Sequence, residues 1–475
     1  MPTDVLLVNP NRIRPPIAPL ALEYLAHALA RAGLSWRVAD LCLADDPESA
    51  LAAGLADSPL LIAITFRNTD DCYCATQHSF IPDLQELVEH IRRCTDAPIV
   101  LGGAGFSAAP AGVLRRTGAE FGIVGDGERP LVELVRALRN QSQFGAIPGL
   151  VWREGEDFRA SPAAWQAIAQ DPLPRTALDN ERYFREGGQA GIETKRGCPA
   201  RCVYCADPLS KGSGTRTRPP AAIAEEILSL ASRGVDVFHT CDSEFNSDVM
   251  HAVLVCEELI RRSAADRLRW YAYCAPTPFP PELARLMRQA GCVGINFGTD
   301  GGDAEMLRRL GRDHAPDDIV AAVRACREHG IVVMLDLLLG SPGETPQSVA
   351  RSIQLVRETG ADCAGAALGV RLYANTPLAE RLRARIETGE RTGLRGDLEG
   401  NSDLAMPVFY LAPELGDDPV GLLRDLIAGD QRFFFGWPDD TQADYNYDDN
   451  PELVEAIRAG HRGAYWDILR RLRGL

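Results

Sequence analysis

The sequence lacks the features of membrane, secreted and nucleic-acid-binding proteins. It has no uncharged apolar run of about 18 residues, the length that a helix needs to cross a bilayer. Its first residues, MPTDVLLVNPN, include neither the basic segment nor the cleavage site of a secretory leader. Positive charge is also scarce, with 50 basic against 66 acidic residues and a formal net charge of -16. Because such a chain repels phosphate backbones, we expect a cytoplasmic protein without nucleic-acid or membrane partners.

No internal repeat of solenoid period is visible, so the fold is not a repeat array. The 475 residues exceed the size of a single compact core and therefore predict several domains. The chain has 13 cysteines. Without a leader, this odd number favours reduced thiols and metal ligation over a disulfide framework.

The first 140 residues alternate strand-length apolar runs with amphipathic helical stretches. The runs are DVLLVNP, WRVADL, LLIAITF, PIVLGG and EFGIVG. Short apolar strands separated by helices predict a parallel sheet covered on both faces. Residues 1–140 are therefore predicted to form an α/β, doubly wound, Rossmann-like domain, whose ligands bind beyond the carboxyl ends of its strands.

Residues 141–190 break this rhythm and are interpreted as a connector. A second alternating series follows, with six strand-length runs from GIETKRG to CAGAALGVRLY. Residues 191–385 are predicted to form a six-stranded partial α/β barrel, with functional groups at the carboxyl ends of its strands. Residues 386–475 are predicted to form a small, mostly helical C-terminal region. Its acidic, aromatic segment FFFGWPDDTQADYNYDDN is a candidate for binding an amine or a sugar, or a solvated loop.

Three cysteines, Cys198, Cys202 and Cys205, follow the first predicted barrel strand in the stretch KRGCPARCVYC. Three thiolates on one short loop can each bind one iron of a cubane cluster and leave the fourth iron open. A structural zinc site usually has a fourth Cys or His, and none lies nearby in the sequence. The spacing alone leaves metal ligation and buried free thiols open. Lys195 and Arg196 have no assigned role beyond balancing the charge of such a cluster.

The stretch RGCPARCVYC resembles the CxxxCxxC signature of the radical S-adenosylmethionine (SAM) superfamily. The segments FHTCDSEFN, NFGTDGG and LLLGSPGET resemble that superfamily's SAM-binding turns in the expected order. The resemblance implies that the three cysteines hold a 4Fe-4S cluster and that SAM binds its open iron. It also implies cleavage of SAM to a 5'-deoxyadenosyl radical and a flavodoxin or ferredoxin-type electron donor. The residues implied to contact SAM are Tyr204, Ser243, Gly298, Asp300 and Gly343, although Thr299-Asp300 replaces the usual Glu-Ser pair.

The first domain resembles the cobalamin-binding domain of one branch of this superfamily, through VLGGAGFSAAP and GIVGDGERPLVEL. Glycines at these turns permit close approach of a large planar ligand. The D-x-H-x-x-G sequence that supplies a histidine to cobalt is absent, and the loop holding Arg67 and Asn68 is expected at the lower face of the corrin. The residues implied to contact cobalamin are Arg67, Asn68, Gly102, Gly103, Ser107, Gly125 and Gly127.

This two-domain resemblance favours cobalamin-dependent methylation of an unactivated carbon in a small molecule of a natural-product pathway. The alternative is a cobalamin-independent radical SAM dehydratase, deoxygenase or rearrangement enzyme that acts on a sugar or aminoglycoside diol and keeps a vestigial cobalamin domain. A non-catalytic iron-sulfur or zinc regulatory protein would leave the turns after the fourth and fifth strands without a purpose. Candidate substrate or proton-transfer groups are Asp242, Glu244, Tyr273 and Asp336. Further candidates at the barrel mouth are Asn246, Tyr271, Arg371, Tyr373 and Asn375.

Overall fold

The computed structural model describes residues 3–155, 157–165, 167–437 and 448–475. It contains two large sheets, and most helices are packed against their faces. The prediction of an α/β architecture with a Rossmann-like domain and a barrel is confirmed. In the described part of the chain, no helix is long and apolar enough to cross a membrane.

The N-terminal sheet has five parallel strands, and the first strand lies between the second and the third. Its parallel strands are Val5–Asn9, Trp36–Asp40, Leu61–Thr65, Ile99–Gly102 and Phe121–Ile123. A hairpin of Leu150–Glu154 and Asp157–Ala160 extends the sheet in antiparallel fashion beyond the fifth strand. Separate apolar clusters cover the two faces, as expected of a doubly wound sheet.

Helices cover both faces of this sheet because their apolar residues recur at helical spacing. In Ile81–Cys94, for example, the buried residues are Ile81, Leu84, Val88 and Ile91. The remaining helices of this part are Leu20–Arg31, Pro47–Leu55, Ala104–Ala108, Pro110–Thr117, Glu128–Asn140 and, in the connector, Asn180–Gly187.

The second sheet is an open barrel of six parallel strands, as predicted, and a short strand from the C-terminal region adds to its far edge. Its strands are Ala190–Ile192, Val237–Thr240, Arg269–Cys274, Cys292–Asp300, Val332–Leu339, Cys363–Leu368 and Phe433–Phe434. The outer helices are Pro220–Ser232, Val249–Arg261, Pro281–Gln289, Ala304–Leu310, Pro316–Glu328, Pro346–Thr359 and Pro377–Thr388. All seven strands run in one direction, so their carboxyl ends meet at one mouth.

The C-terminal region combines a small antiparallel sheet with helices. Strands Val370–Arg371 and Leu394–Gly396 pair with Val408–Tyr410. The helices are Pro419–Ile427, Pro451–Arg458 and Tyr465–Leu472. In the last helix, Asp467 accepts a hydrogen bond of 2.8 Å from the hydroxyl of Tyr271 on the third barrel strand. Residues 438–447 of the acidic, aromatic segment lie outside the described residues.

A fully buried charge network joins the two large sheets through the connector. Glu226, on the first outer helix of the barrel, lies 3.0 Å from Arg175 and 2.6 Å from Arg218. Asn180 accepts a hydrogen bond from Arg175 and donates one to Glu23, which lies on the first helix of the N-terminal domain. These four charged side chains are almost completely excluded from solvent. The network therefore fixes how the two domains face each other.

Candidate active site

The three cysteines lie on the loop that follows the short strand Lys195–Arg196, at the barrel mouth. That strand pairs with Arg216–Thr217, and the amide of Cys198 donates a hydrogen bond of 3.1 Å to the Gly212 carbonyl. Gly197 has φ +87°, and a Cβ there would lie 2.1 Å from the Gly214 carbonyl oxygen. Only glycine permits this tight return of the chain, which closes the loop around the cysteines.

The thiols of the loop are close enough to affect one another but do not form a single-metal site. Burial raises the pKa of all three thiols, and for Cys205 the neighbouring Cys202 and Cys198 add to the increase. Within the described ranges, no three His, Cys, Asp or Glu side chains converge closely enough to bind one metal ion. A zinc ion would require sulfurs about 2.3 Å from a common centre. Three thiols on one loop are the ligands that a polynuclear iron-sulfur cluster requires, and binding of such a cluster must release the thiol protons.

Arg312 connects this loop to the fourth barrel strand. Its Nη1 donates a hydrogen bond of 3.0 Å to the Cys202 Sγ, and its Nη2 donates to the Gly298 carbonyl and, at 3.2 Å, to Glu244. Its Nε lies 3.4 Å from Asp300. One cation thus favours the thiolate form of Cys202 and holds two carboxylates in place.

The predicted SAM contacts lie around the same loop. Tyr204 donates a hydrogen bond of 2.7 Å to Asp300, whose φ is +60°. Ser243 lies 3.5 Å from the ammonium of Lys211. Gly343, in the turn after the fifth strand, lies so close to Arg309 that a Cβ would overlap its guanidinium. Tyr204, Asp300 and Ser243 therefore lie beside the segment of the cysteines, while the Gly343 turn packs against the helix Ala304–Leu310.

Asp242 follows the second barrel strand, but its carboxylate is bonded to the segment before the cysteine loop. It is buried and accepts hydrogen bonds from the amides of Thr194 and Lys195, at 2.9 and 3.1 Å, and from the Thr194 hydroxyl. Two of the further candidates are also structural. Arg371 is buried and lies 2.8 Å from Asp70, while Asn246 bonds the backbone of Ala275. These side chains stabilise the fold. Their partners are distant along the chain, so no local sequence pattern indicates this role.

Tyr273 and Asp336 face the barrel interior. The Tyr273 ring is 42% exposed, which makes it one of the few large exposed aromatic side chains. The Asp336 carboxylate accepts a hydrogen bond of 2.7 Å from the Asn296 amide. Gly298 and Gly365 are the register neighbours of Asp336 on the two adjacent strands.

His239 is a further candidate, absent from the sequence-based predictions. Its Nδ1 donates a hydrogen bond of 2.8 Å to the Thr240 carbonyl, so Nε2 is an acceptor in the neutral ring. The ring lies 4.6 Å from that of Tyr273, between centroids. Burial lowers the pKa of His239 to about 4, so the ring is neutral at pH 7. The sequence could have indicated His239 through the alternation of side chains along the second barrel strand. Its neighbour Phe238 is buried on the opposite face of that strand.

The residues predicted to contact cobalamin lie at the carboxyl ends of the third, fourth and fifth strands of the first domain. Ser107 joins two of these turns, because its hydroxyl accepts from the Gly125 amide and donates to the Gly103 carbonyl, both at 3.0 Å. Gly103 has φ +105°, and a Cβ there would lie 2.6 Å from the Phe66 carbonyl oxygen. Gly102 and Gly127 lie at the same edge, at the end of the fourth strand and before the helix that follows the fifth.

The predicted cobalamin edge of the first domain faces the mouth of the barrel across the domain interface. Arg67, in the loop after the third strand together with Asn68, is close enough to Cys241 of the barrel to affect its pKa. Asp126, between Gly125 and Gly127, forms ion pairs with Arg196 and Arg216 on either side of the cysteine loop. The predicted ligand edge of the first domain therefore opens directly onto the barrel mouth.

Comparison with known proteins defines the class in which this arrangement occurs. The radical SAM superfamily profile matches residues 192–356, and the B12 binding domain profile matches residues 11–135. A structure of the cobalamin-dependent SAM radical enzyme OxsB with aqua-cobalamin shares the fold at a TM-score of 0.72 and 16% identity, over 99% of this chain and 72% of that one. The fold and site thus define a radical SAM enzyme with a cobalamin-binding domain.

Two more similar relatives define the family. The tryptophan 2-C-methyltransferase of Streptomyces laurentii is 31% identical, over 97% of this chain and 95% of the relative. The structure of TsrM from Kitasatospora setae with tryptophan and a SAM analogue is 34% identical and has a TM-score of 0.92, over 99% of this chain and 97% of that one. A second structure of that protein contains cobalamin and a 4Fe-4S cluster. The chain belongs to the cobalamin-dependent radical SAM methyltransferases.

The prediction of a radical SAM methyltransferase using a 4Fe-4S cluster, SAM and cobalamin is confirmed, and the dehydratase alternative is not favoured. The residues of this chain fit those groups. Three thiols with a guanidinium on one of them suit an anionic cluster. At the sheet edge, Gly103 packs against the Phe66 backbone and Gly125 against the Trp165 ring without room for a Cβ, so glycine is required at both predicted cobalamin turns.

Proposed function

We propose that this enzyme methylates a carbon of the indole ring of tryptophan or of a close tryptophan derivative. The observation that carries the proposal is full-length similarity, at 31% and 34% identity, to proteins that are named for or bound to tryptophan. When bound, the cofactors supply the methyl group and the electron chemistry. This chain's residues bind and orient the substrate between the cofactors and exclude water.

The barrel interior has the chemistry that an aromatic amino acid requires. Tyr273 offers an exposed ring on which a planar indole can stack. Beside it, the Nε2 of neutral His239 can accept a hydrogen bond from the indole N–H. Asp336, which accepts from Asn296, offers a carboxylate to the substrate ammonium. We assign these three residues to substrate binding.

Glu244 and Arg67 are assigned to the cofactor side of the same space. Arg312 holds Glu244 beside the loop of the three cysteines, residues 197–205, which we call the cluster loop. The Glu244 carboxylate is therefore assigned a place next to the turns predicted to bind SAM. Arg67 lies on the loop where the lower face of the corrin is expected, and its guanidinium, which cannot ligate cobalt, is suited to keeping that face without a protein ligand. A flavodoxin or ferredoxin-type protein is proposed as the electron donor.

The proposal is tested with anaerobically reconstituted enzyme, SAM, a reductant, and tryptophan carrying deuterium at C2 or at the other ring carbons. We expect a product one methyl group heavier, with loss of deuterium only from the C2-labelled substrate. Retention of the C2 deuterium in a methylated product would assign another carbon. Absence of any methylated indole, in enzyme that holds both iron and corrinoid, would overturn the substrate assignment.

A further inference from the structure

Lys195 occupies an unusual position beside the cluster loop. It lies on the short strand that leads into the loop, three residues before Cys198, and it is only 1% exposed. Its backbone amide donates to buried Asp242, and the strand pairs with Thr217 on the other side. Both backbone contacts fix where the side chain leaves the strand, so its burial is built into the fold.

Among the residues that the structure describes, the ammonium of Lys195 has no hydrogen-bond or ion-pair partner. Its Nζ is buried and has neither a hydrogen bond nor an ion pair with any residue that the structure describes. Burying an ammonium without compensation is strongly unfavourable. A group outside the polypeptide is therefore expected to supply the missing negative charge and hydrogen-bond acceptors.

The surroundings of the ammonium indicate the cluster as that group. Cys198 follows Lys195 by three residues, on the loop that begins at the paired strands Lys195–Arg196 and Arg216–Thr217. Because Lys195 is buried and its strand leads directly into this loop, the ammonium is enclosed next to the segment that carries the cysteines and is not on the outer surface of the barrel.

Composition adds an independent indication. The chain has 50 basic residues but only two lysines, Lys195 and Lys211, and both flank the cysteines. Lys211 is paired with Asp207 at 3.3 Å, whereas Lys195 has no such partner among the described residues. An ammonium is a compact point charge, while a guanidinium needs planar partners for its fork of donors. A buried lysine, in a chain that otherwise uses arginine, therefore suits a compact anion with several hydrogen-bond acceptors, such as a sulfide-containing cluster.

We propose that the Lys195 ammonium is the charge partner of the iron-sulfur cluster and raises its reduction potential. Reduction adds one electron, supplied by the external donor, to a cluster that three thiolates already make anionic. A nearby fixed positive charge stabilises the reduced form more than the oxidised form. Lys195 is a positioning residue, because it acts through the cluster and not on the substrate. The proposal does not depend on which substrate is methylated.

The test compares wild-type enzyme with Lys195→Met, Lys195→Arg and the control Arg285→Met, each loaded with iron and sulfide. The control removes one positive charge from an exposed ion pair with Glu282. The midpoint potential is measured by spin-resonance-monitored redox titration without SAM. For Lys195→Met we expect at least a tenfold fall in the ratio of reduced to oxidised cluster at fixed potential, which is about 59 mV for one electron. Lys195→Arg keeps the positive charge and should have a midpoint potential close to that of the wild type. Arg285→Met should leave the midpoint potential unchanged.

SAM affinity is measured in parallel, because the SAM carboxylate is another anion near the loop. A Lys195→Met enzyme with full iron content and an unchanged potential would overturn the proposal. If SAM binding then weakened tenfold, the ammonium would be reassigned to the SAM carboxylate.

A variant that fails to retain iron is assessed by unfolding the metal-free protein. Because the buried Lys195 ammonium has no partner in the described part of the chain, metal-free Lys195→Met should unfold at or above the wild-type temperature. Failure to hold iron combined with this unchanged or raised stability would support the proposal. Metal-free Lys195→Met that unfolds well below the wild type would instead show a structural role and overturn it.

Discussion

The Arg312 Nη1 donates a hydrogen bond of 3.0 Å to the Cys202 Sγ, which joins the segment after the fourth barrel strand and its helix to the cluster loop. The same guanidinium contacts Glu244 and the Gly298 carbonyl. These contacts link the cluster loop to two turns at the barrel mouth. The side chain is almost completely buried, so solvent does not screen its charge.

Replacing Arg312 with Met should lower methylation turnover by about tenfold to a hundredfold, the equivalent of one lost hydrogen bond to a charged group. Arg312→Lys should be intermediate, since it keeps the charge without the fork of donors. Turnover and iron per chain are measured together. Wild-type turnover in Arg312→Met would show that the contact with Cys202 is incidental.

Each of the variants Cys198→Ala, Cys202→Ala and Cys205→Ala should lose the cluster, because each removes one iron ligand. Iron should fall from about four to below about one per chain. Cys94→Ala provides the control, since Cys94 is exposed at the end of a helix in the first domain. If two of the three loop variants kept full iron, the ligand assignment would be wrong.

Gly103→Ala should reduce the amount of corrinoid that remains after desalting. The new Cβ would lie 2.6 Å from the Phe66 carbonyl oxygen in a backbone conformation that costs non-glycine residues about 1–3 kcal/mol. Gly118→Ala is a matched control, because Gly118 also has positive φ but a Cβ there would meet no atom within 4 Å. Equal corrinoid retention in both variants would remove Gly103 from the cobalamin edge.

Glu226→Gln should destabilise the protein by about 3–5 kcal/mol, since it leaves Arg175 and Arg218 buried without their shared carboxylate. Glu305→Gln breaks an exposed pair with Arg308 and should cost less than about 1 kcal/mol. Denaturant unfolding of both variants measures the difference. Similar small losses in the two variants would mean that the buried network contributes little to the domain interface.

His239 should make stability depend on pH on the acid side. Burial lowers its folded-state pKa to about 4, below the ordinary value of 6.5, so the unfolded chain binds the proton more readily. The free energy of unfolding should therefore fall as pH decreases from about 6.5 towards 4, by at most about 1.4 kcal/mol per pH unit from this group. His239→Gln should flatten this slope in unfolding measured across that range. An unchanged slope would show that His239 titrates normally.

Local pattern along the chain was enough to predict the two sheets and the cysteine loop. Apolar runs alternating with amphipathic stretches predicted both parallel sheets, because burial on two faces requires continuous apolar strands. The spacing of Cys198, Cys202 and Cys205 placed three thiols on one short loop, since neighbours in the sequence must be neighbours in space. The order of the turns after successive strands predicted the SAM region for the same reason.

Which polar side chains face the mouth depends instead on the tertiary structure. Asp242 turns inward to Thr194, Arg371 pairs with Asp70 of the other domain, and His239 stands beside Tyr273. Most of these partners lie far apart along the chain, so no local pattern encodes their contacts. The same holds for Lys195, because whether a buried ammonium has a partner depends on every element packed around it, and those elements lie outside its own segment.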